Sequence, residues 1–163
     1  MSFHVRRKDK EITDSAVLKK ILKSSTYVTL ALSMNNQPYL VSLSHGYDEA
    51  RNCLFFHCAK EGKKLEYLRS NNVVWGQALI DRGYAQGEGE CSHKYASVHF
   101  SGKVAILESL EEKLAAVKCM IYKLDSNPEK LIAGLNSERL KSTVIGRIDI
   151  DYMTGKKSKE VTV

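Results

Sequence analysis

The feature that most constrains the fold is the stretch from Cys53 to Leu68. An apolar run of strand length ends at His57, and after Gly62 two leucines, Leu65 and Leu68, follow at helical spacing. This pattern predicts a strand, a turn and the start of a helix. A helix start leaves backbone N–H groups without partners and carries a partial positive charge. The sequence therefore predicts a seat for an anion, most naturally a phosphate, at the end of this strand.

Two lysines strengthen this interpretation, because Lys63 and Lys64 directly follow Gly62. A lysine pair beside a glycine is also typical of a solvated turn. The chain contains no glycine-rich P-loop and no dinucleotide-binding fingerprint that would decide between the two. On these residues alone, both interpretations remain open.

The length and composition of the chain indicate a single domain over residues 1–163. With 163 residues, of which 43% are hydrophobic, it is long enough for one sizeable core and too short for two. No apolar run approaches the thickness of a bilayer, and the basic N-terminus is followed by no signal-peptide region. We therefore expect a soluble, cytoplasmic protein with no membrane partner.

The cysteines predict neither disulfides nor a metal site. The four of them lack a C-x-x-C or framework spacing and lie in or beside apolar segments, which favours reduced, buried thiols. His57-Cys58 and Cys91-x-His93 would together supply four soft ligands. However, neither pair has zinc-finger spacing, and a strand would point His57 and Cys58 to opposite faces.

The net charge of +6 is concentrated near the two ends of the chain. The basic segments lie within residues 6–10, 19–20 and 156–159. No aromatic ladder, helix-turn-helix or RNA-binding signature accompanies them, so a nucleic-acid partner is not expected. A basic surface that attracts small anions is the simpler explanation.

Alternation of apolar and polar residues predicts about six antiparallel strands. They are expected at residues 27–34, 39–47, 53–59, 73–80, 95–107 and 143–153. Helical spacing predicts helices that begin near Thr13 or Asp14, near Gly62 and after Ser109, with a short helical piece over 129–135. We expect residues 1–11 to form an arm, residues 82–94 a loop, and the end after Gly155 (155–163) a tail.

Two local features shape the expected architecture. Gly102 interrupts a long strand, as glycine does at a bulge or a barrel corner. Ser109 and Glu112 form a capping box, and the helix that follows carries one apolar stripe, expected to face the core. The stripe consists of Leu110, Leu114, Val117, Ile121 and Leu124. We predict a mainly β protein with flanking helices (α+β), whose six-stranded antiparallel sheet closes into a small split barrel.

With these residues in view, the chain resembles the flavin-binding split-barrel group related to pyridoxamine 5′-phosphate oxidase. Within that group it is similar to the nitroimidazole-resistance (Nim-type) proteins. The resemblance spans most of residues 6 to 125. The segments that carry it are Arg6-Arg7-Lys8-Asp9-Lys10-Glu11-Ile12, Pro38 to Asp48, Phe55 to Leu65, Tyr95-Ala96-Ser97-Val98 with Gly102, and Glu111-Glu112-Lys113.

This resemblance implies an FMN-binding six-stranded split barrel that forms a homodimer, with the flavin at the subunit interface. By this likeness one strand would run along the flavin, the end of a second would contact its ring or ribityl chain, and the helix start would hold its phosphate. The implied residues are, in that order, Val41, Ser42, Leu43 and Ser44; His57, Cys58 and Ala59; and Gly62, Lys63 and Lys64. Tyr95 and Ser97 would come from the other subunit.

The function that follows is that of an oxidoreductase in which FMN passes electrons from a reduced donor to a small-molecule oxidant, such as a nitroaromatic or a quinone. His57 is the best candidate for a catalytic proton donor, although it is equally well explained as a residue that only lines the cofactor. The alternative is a non-enzymatic flavin- or haem-binding protein, since similar split barrels host haem. The five histidines, His4, His45, His57, His93 and His99, would then be the possible axial ligands.

Overall fold

The computed structural model describes residues 5–84 and 93–163. A short 3₁₀ turn at Lys8–Lys10 precedes the first helix. The helices are α1 (Ser15–Ser24), α2 (Lys63–Ser70), α3 (Leu110–Leu124), α4 (Pro128–Ala133) and α5 (Ser137–Ser142). The strands are β1 (Tyr27–Met34), β2 (Gln37–Ser44), β3 (Gly46–Asp48), β4 (Cys53–Cys58), β5 (Val73–Tyr84), β6 (His93–Ile106) and β7 (Val144–Lys157). The predicted loop over 82–94 lies partly outside the described residues.

The strands form one antiparallel sheet in the order β2-β1-β5-β6-β7-β4-β3. The expectation of a mainly antiparallel sheet with flanking helices is confirmed. The closed six-stranded barrel is not, because seven strands form an open order. The strand predicted over 39–47 divides at His45 into β2 and β3, which pair at opposite ends of the sheet. His45 is fully buried, and its Nε2 donates to the carbonyl O of Leu22 at 2.8 Å, which holds the chain in this bend.

Two phenylalanines fill the inner face of the sheet, each beside a glycine on the neighbouring strand. Phe100 pairs with Gly76, and Phe56 pairs with Gly146. A Cβ on either glycine would lie 2.2 or 2.3 Å from the facing ring. The glycines therefore leave the room that the rings need for close packing.

The predicted bulge at Gly102 is confirmed, because the β6–β7 register shifts between Ser101 and Gly102. A Cβ at Gly102 would lie 2.3 Å from the carbonyl O of Asp149. The close approach of the two backbones at this point thus requires glycine.

Helix α3 begins as predicted, but it buries a different face. Ser109 Oγ accepts from the N–H of Glu112 at 3.5 Å, so the predicted cap is present. The buried residues are Lys113, Ala116 and Met120. The stripe from Leu110 to Leu124 is therefore not the buried face of the helix, although its Val117 packs against the second core cluster. Its two ends are 39% and 47% exposed, since α3 meets only a small second core cluster beneath β3 and β4.

The segment before α1 lies against β7. The N–H of Ile12 donates to the carbonyl O of Gly155 at 2.9 Å, and Glu11 forms a bridge with Lys156. The last strand extends past its predicted end at Met153 to Lys157, so residues 155–157 are strand rather than tail. In the part of the chain that the structure describes, no helix is long and apolar enough to cross a membrane.

Candidate functional site

Two strands present free backbone edges near the bend at His45. β2 is an end strand and pairs only with β1, while β3 covers β4 only from Cys53 to Phe55. The outer edge of β2 and the last residues of β4 are therefore free of strand pairing on that side, among the residues that the structure describes. Because a single residue joins β2 to β3, the two free edges flank the same split in the sheet. Unpaired backbone groups at such an edge are ready to bind a ligand.

Helix α2 begins directly after β4, as predicted. Gly62 is its N-cap, with φ +130°, and a Cβ there would have no atom within 4 Å. A positive φ favours glycine, and the open space leaves access to the first N–H groups of the helix. The turn thus delivers a helix start, with its partial positive charge, to the end of β4.

The two lysines of this helix start rest on aromatic rings. Lys63 Nζ lies 4.7 Å from the ring centroid of Tyr39 and 5.6 Å from that of Tyr67. Lys64 Nζ lies 5.6 Å from the ring of Phe56. No carboxylate neutralises either lysine within the described residues. Two ammonium groups and free helix N–H groups fit a phosphate dianion, and we call this group the phosphate seat.

Strand β2 offers alternating surfaces beside the split. Val41 is half-buried and Leu43 is 8% exposed, and both pack with the main core. Ser42 lies on the other face, where its hydroxyl is 2.9 Å from that of Thr29, and Ser44 is half-buried. The strand therefore combines an apolar inner face with a free backbone edge, which suits a flat, partly polar ring.

The end of β4 sends its side chains in two directions. Cys58 is half-buried and packs against the main core, and burial raises the pKa of its thiol. The neighbouring His57 is exposed and lines a cavity on the opposite side of the strand. Ala59 follows as an exposed residue. The side chains of His57 and Cys58 thus do not meet, and a ligand at the split would contact both residues only through their backbone.

His57 opens onto a cavity of about 320 Å³ formed by α3, α4 and α5, which we call the helical cavity. Its polar lining consists of His57, Asp125, Arg139 and Thr143. Its apolar lining consists of Val117, Met120, Ile121, Leu124, Leu131, Leu135 and Leu140. Part of the α3 stripe that was expected to face the core lines this cavity instead.

Tyr95 and Ser97 lie elsewhere, on β6, which β1 and β5 separate from β2 in the sheet order. Tyr95 lines a second cavity, of about 490 Å³, between the N-terminal segment and the outer face of the sheet. We call it the arm cavity. Its lining residues are Val5, Arg6, Arg7, Lys10, Trp75, Tyr95, His99, Thr154 and Lys156. Ser97 lines a small adjoining space, and a single chain does not bring either residue to the phosphate seat.

One polar pair was not predicted. Lys123 Nζ lies 2.5 and 3.2 Å from the two ring nitrogens of His45, and 3.4 Å from the carbonyl O of Leu22. Burial and the lysine charge lower the pKa of His45 to about 4, and burial lowers the pKa of Lys123 to about 8. The two residues are far apart in the chain, so no spacing signal links them.

The fold and the site define a small antiparallel-sheet protein in which a helix start with two lysines lies beside a split in the sheet. The family model for pyridoxamine 5′-phosphate oxidase matches residues 14–157. The chain therefore belongs to the pyridoxamine 5′-phosphate oxidase family, which confirms the resemblance seen in the sequence. A search of the curated proteins found no match.

Several solved structures share the fold. A candidate 5-nitroimidazole antibiotic resistance protein from Bacteroides thetaiotaomicron matches with a TM-score of 0.76 and 21% identity, over 95% of each chain. The flavocytochrome Anf3 from Azotobacter vinelandii matches with a TM-score of 0.80 and 15% identity, over 98% of this chain and 75% of that one. An FAD- and heme-binding protein from Mycobacterium smegmatis matches with a TM-score of 0.79 and 16% identity, over 94% of this chain and 76% of that one. At such identities these likenesses show a shared fold.

Proposed function

We propose that this protein is an FMN-binding flavoprotein of the split-barrel type, which passes electrons from a reduced donor to a small oxidant such as a nitroaromatic or a quinone. The phosphate seat carries the proposal, because two lysines that have no acidic partner among the described residues lie at a free helix start beside two free strand edges. The names of the structural neighbours, which include flavin-binding proteins, support the same class of cofactor.

Different residues of this chain bind different parts of the cofactor. The N–H groups after Gly62 and the ammonium groups of Lys63 and Lys64 hold the phosphate. The backbone edge of β2 from Val41 to Ser44 orients the ring, and the backbone of residues 57–59 contacts it from the other side of the split. A bound flavin supplies the electron transfer, and the protein sets its access to solvent and its electrostatic surroundings.

His57 remains our candidate proton donor, now with a defined direction. Its side chain opens onto the helical cavity rather than toward Cys58. A proton from this imidazole would therefore reach an oxidant that is bound in that cavity.

The outer face of the sheet suits a homodimer. Ala31 pairs with Leu40 on one side and with Trp75 on the other, so the three lie on one rung. Leu40 is 66% and Trp75 39% exposed. A contiguous apolar face of this kind is typical of subunit contacts. In such a dimer, Tyr95 and Ser97 of one subunit would cover the flavin of the other.

A haem-binding protein is the second candidate, and one histidine favours it. A ring nitrogen of His45 hydrogen-bonds to the carbonyl O of Leu22, one of His93 to Asp81, and one of His99 to Gln77. His57 is exposed beside the apolar helical cavity. Among the described histidines it is therefore the best placed to act as an axial ligand.

The test combines the visible spectrum with ligand discrimination. We expect purified or reconstituted protein to show a flavin spectrum and to release intact FMN on denaturation. The double variant Lys63→Ala/Lys64→Ala should bind FMN at least 10-fold more weakly, since each charge-assisted hydrogen bond contributes roughly 1.5–3 kcal/mol. Its affinity for riboflavin, which lacks the phosphate, should not change.

A matched control removes two helical lysines elsewhere, in Lys118→Ala/Lys130→Ala. These residues lie on α3 and α4, away from the phosphate seat. The control should retain the preference for FMN over riboflavin. An unchanged FMN affinity in the Lys63/Lys64 variant would refute the seat, and a haem spectrum that His57→Ala shifts would favour the second candidate.

A further inference from the structure

The arm cavity is built within one chain by a segment that lies on the sheet. The backbone contacts of Glu11 and Ile12 with Lys156 and Gly155 hold this segment in place, and the Ile12 side chain is only 7% exposed. The resulting volume of about 490 Å³ falls within the range of small-molecule sites. These contacts therefore hold the wall of the cavity against the sheet.

The lining of the arm cavity carries an excess of positive charge. Arg7 is neutralised, because its guanidinium donates to both carboxylate oxygens of Asp9 at 2.8 and 2.6 Å. In the described ranges, no carboxylate forms a salt bridge with the other three cations, Arg6, Lys10 and Lys156. None of the lining residues is acidic. Three uncompensated cations around one cavity select a multiply charged anion, such as a diphosphate.

Aromatic residues stand among these cations. Lys10 Nζ lies 6.0 Å from the ring centroid of Tyr95, and Lys156 Nζ lies 5.7 Å from it. Trp75 lines the same cavity, and its ring meets Tyr152 edge-on at 6.1 Å. Aromatic faces stack with planar bases, and cations beside them bind phosphate. The combination matches a ligand that is planar at one end and anionic at the other.

His99 completes the lining without adding charge. Its pKa is lowered by burial and by Lys156, and the side-chain amide of Gln77 donates to its Nε2 at 3.0 Å. A neutral imidazole offers hydrogen bonding to a sugar or a base rather than a further ion pair. The cavity therefore has parts suited to each portion of a nucleotide.

We propose that the arm cavity binds the diphosphate and nucleoside of an ADP-type group. Two sources share this chemistry: the outer half of FAD, and a separate nicotinamide dinucleotide that serves as electron donor. The first source rests on the proposed flavin binding and the second on the proposed oxidoreductase function, whereas binding of ADP itself rests on neither.

The first experiment titrates flavin-free protein with ADP. Trp75 is the only tryptophan in the chain, so its fluorescence reports on this cavity directly. We expect saturable quenching by ADP, confirmed by calorimetry, and much weaker binding of inorganic phosphate at the same concentration. Arg6→Ala/Lys156→Ala should weaken ADP binding at least 10-fold, while Lys118→Ala/Lys130→Ala should leave it unchanged.

Three results would overturn the proposal: absence of saturable binding of ADP, equal affinity for phosphate and ADP, or equal loss in the control variant. Because the titration uses flavin-free protein, these results are independent of whether the protein binds FMN. A protein that binds FMN but not ADP would retain the proposed function and lose this inference.

A second experiment distinguishes the two sources. If the cavity holds the outer half of FAD, Arg6→Ala/Lys156→Ala lowers the affinity for FAD and not for FMN. If it holds a separate donor, FMN-loaded protein still binds ADP, and the same variant weakens the binding of a reduced nicotinamide dinucleotide. A variant that changes neither FAD nor dinucleotide binding contradicts the proposal.

Discussion

The arm cavity and the helical cavity differ in what builds them and in how they are tied to the core. The arm cavity lies on the outer face of the sheet and is lined by cations and aromatic rings. The helical cavity is lined mainly by aliphatic side chains of α3, α4 and α5. One of its walls, Met120, also belongs to the second core cluster. No residue of the arm cavity belongs to either core cluster.

Because of this difference, substitutions should affect the two cavities in different ways. The shape of the helical cavity is coupled to the stability of the domain, because part of its wall is core. The arm cavity depends on a few backbone contacts between the arm and β7, so its charges can change at little cost to folding. Substitutions in the arm cavity should therefore change ligand binding with little effect on folding, whereas substitutions in the wall of the helical cavity should also change stability.

The largest effect is expected from Met120→Ala. Met120 is 4% exposed and packs in the second core cluster, so its truncation should destabilise the domain by roughly 2–5 kcal/mol. Leu124→Ala, one turn further along the same helix and 47% exposed, is the matched control and should cost less than about 1 kcal/mol. Urea unfolding measures both. Equal losses would mean that the whole cavity wall belongs to the core.

The second largest effect is expected from Gly155→Ala, which should disturb the backbone contact between β7 and the segment that forms the arm cavity. A Cβ there would lie 2.3 Å from Leu18 Cδ2, 3.0 Å from the carbonyl O of Ser97 and 3.2 Å from Ile12 Cδ1. We expect a loss of roughly 1–3 kcal/mol and weaker ADP binding, although no charge of the cavity changes.

The control for this prediction is Gly134→Ala. Its Cβ would meet atoms only at 3.6 Å or beyond, and its φ is negative. This variant should be neutral or slightly stabilising. If Gly155→Ala retained full ADP affinity, the arm would not define the cavity.

Lys123→Met contrasts a partly buried cation with the exposed cations of the arm. The pKa of Lys123 is about 8 in the fold, below its usual 10.5. Between pH 10.5 and 8 the unfolded state therefore binds more protons than the folded state, and the fold loses stability as pH falls through this range. The charged lysine therefore destabilises the fold at neutral pH. Its replacement should raise the free energy of unfolding by about 1 kcal/mol, after allowance for solvent screening.

The same variant should change the response to acid. The pKa of His45 is about 4, so the fold loses stability as pH drops from about 6.5 to 4. Without the charge of Lys123 the pKa of His45 should rise, and this loss should shrink. Urea unfolding at neutral and mildly acidic pH, with Lys130→Met as control, measures both effects. An equal gain in the control would contradict the mechanism.

The smallest effect is expected from Leu114→Ala. A stripe that faced the core would make this change cost 2–5 kcal/mol. The structure leaves Leu114 half-buried and outside both core clusters, so we expect a loss of about 1 kcal/mol or less. A loss comparable with that of Met120→Ala would show that this face is covered in solution, for example by another protein surface.

Local sequence features were sufficient for much of the fold. The alternation that predicted residues 27–34 matches β1, the glycine before Lys63 marks the start of α2, and Gly102 marks the bulge. The first two depend on neighbours in the chain, through side-chain period and a positive φ, whereas the bulge requires glycine because the backbone of Asp149 on β7 approaches it closely. The position of Gly62, Lys63 and Lys64 at a helix start was predictable because these residues are contiguous, and their binding of a phosphate stays a prediction.

Tertiary contacts decided the rest. The apolar stripe of α3 had helical periodicity, but periodicity does not state which face of a helix meets the core. The face that carries Met120, next to the stripe, packs into the second core cluster. The alternation over 39–47 did not reveal the division at His45, because the hydrogen bond to Leu22 that holds the bend comes from a distant helix.

Short-range periodicity, turn chemistry and contiguous motifs were therefore enough to predict most of the elements and the family of this protein. The binding of an anion at the start of α2 stays a prediction. Contacts between distant segments determined which cations share a cavity and which cavity His57 lines. They joined Arg6 to Lys156 across nearly the whole chain, and they placed the two ends of the sheet beside each other at one buried histidine. Such contacts depend on packing between distant segments, which residue spacing does not encode.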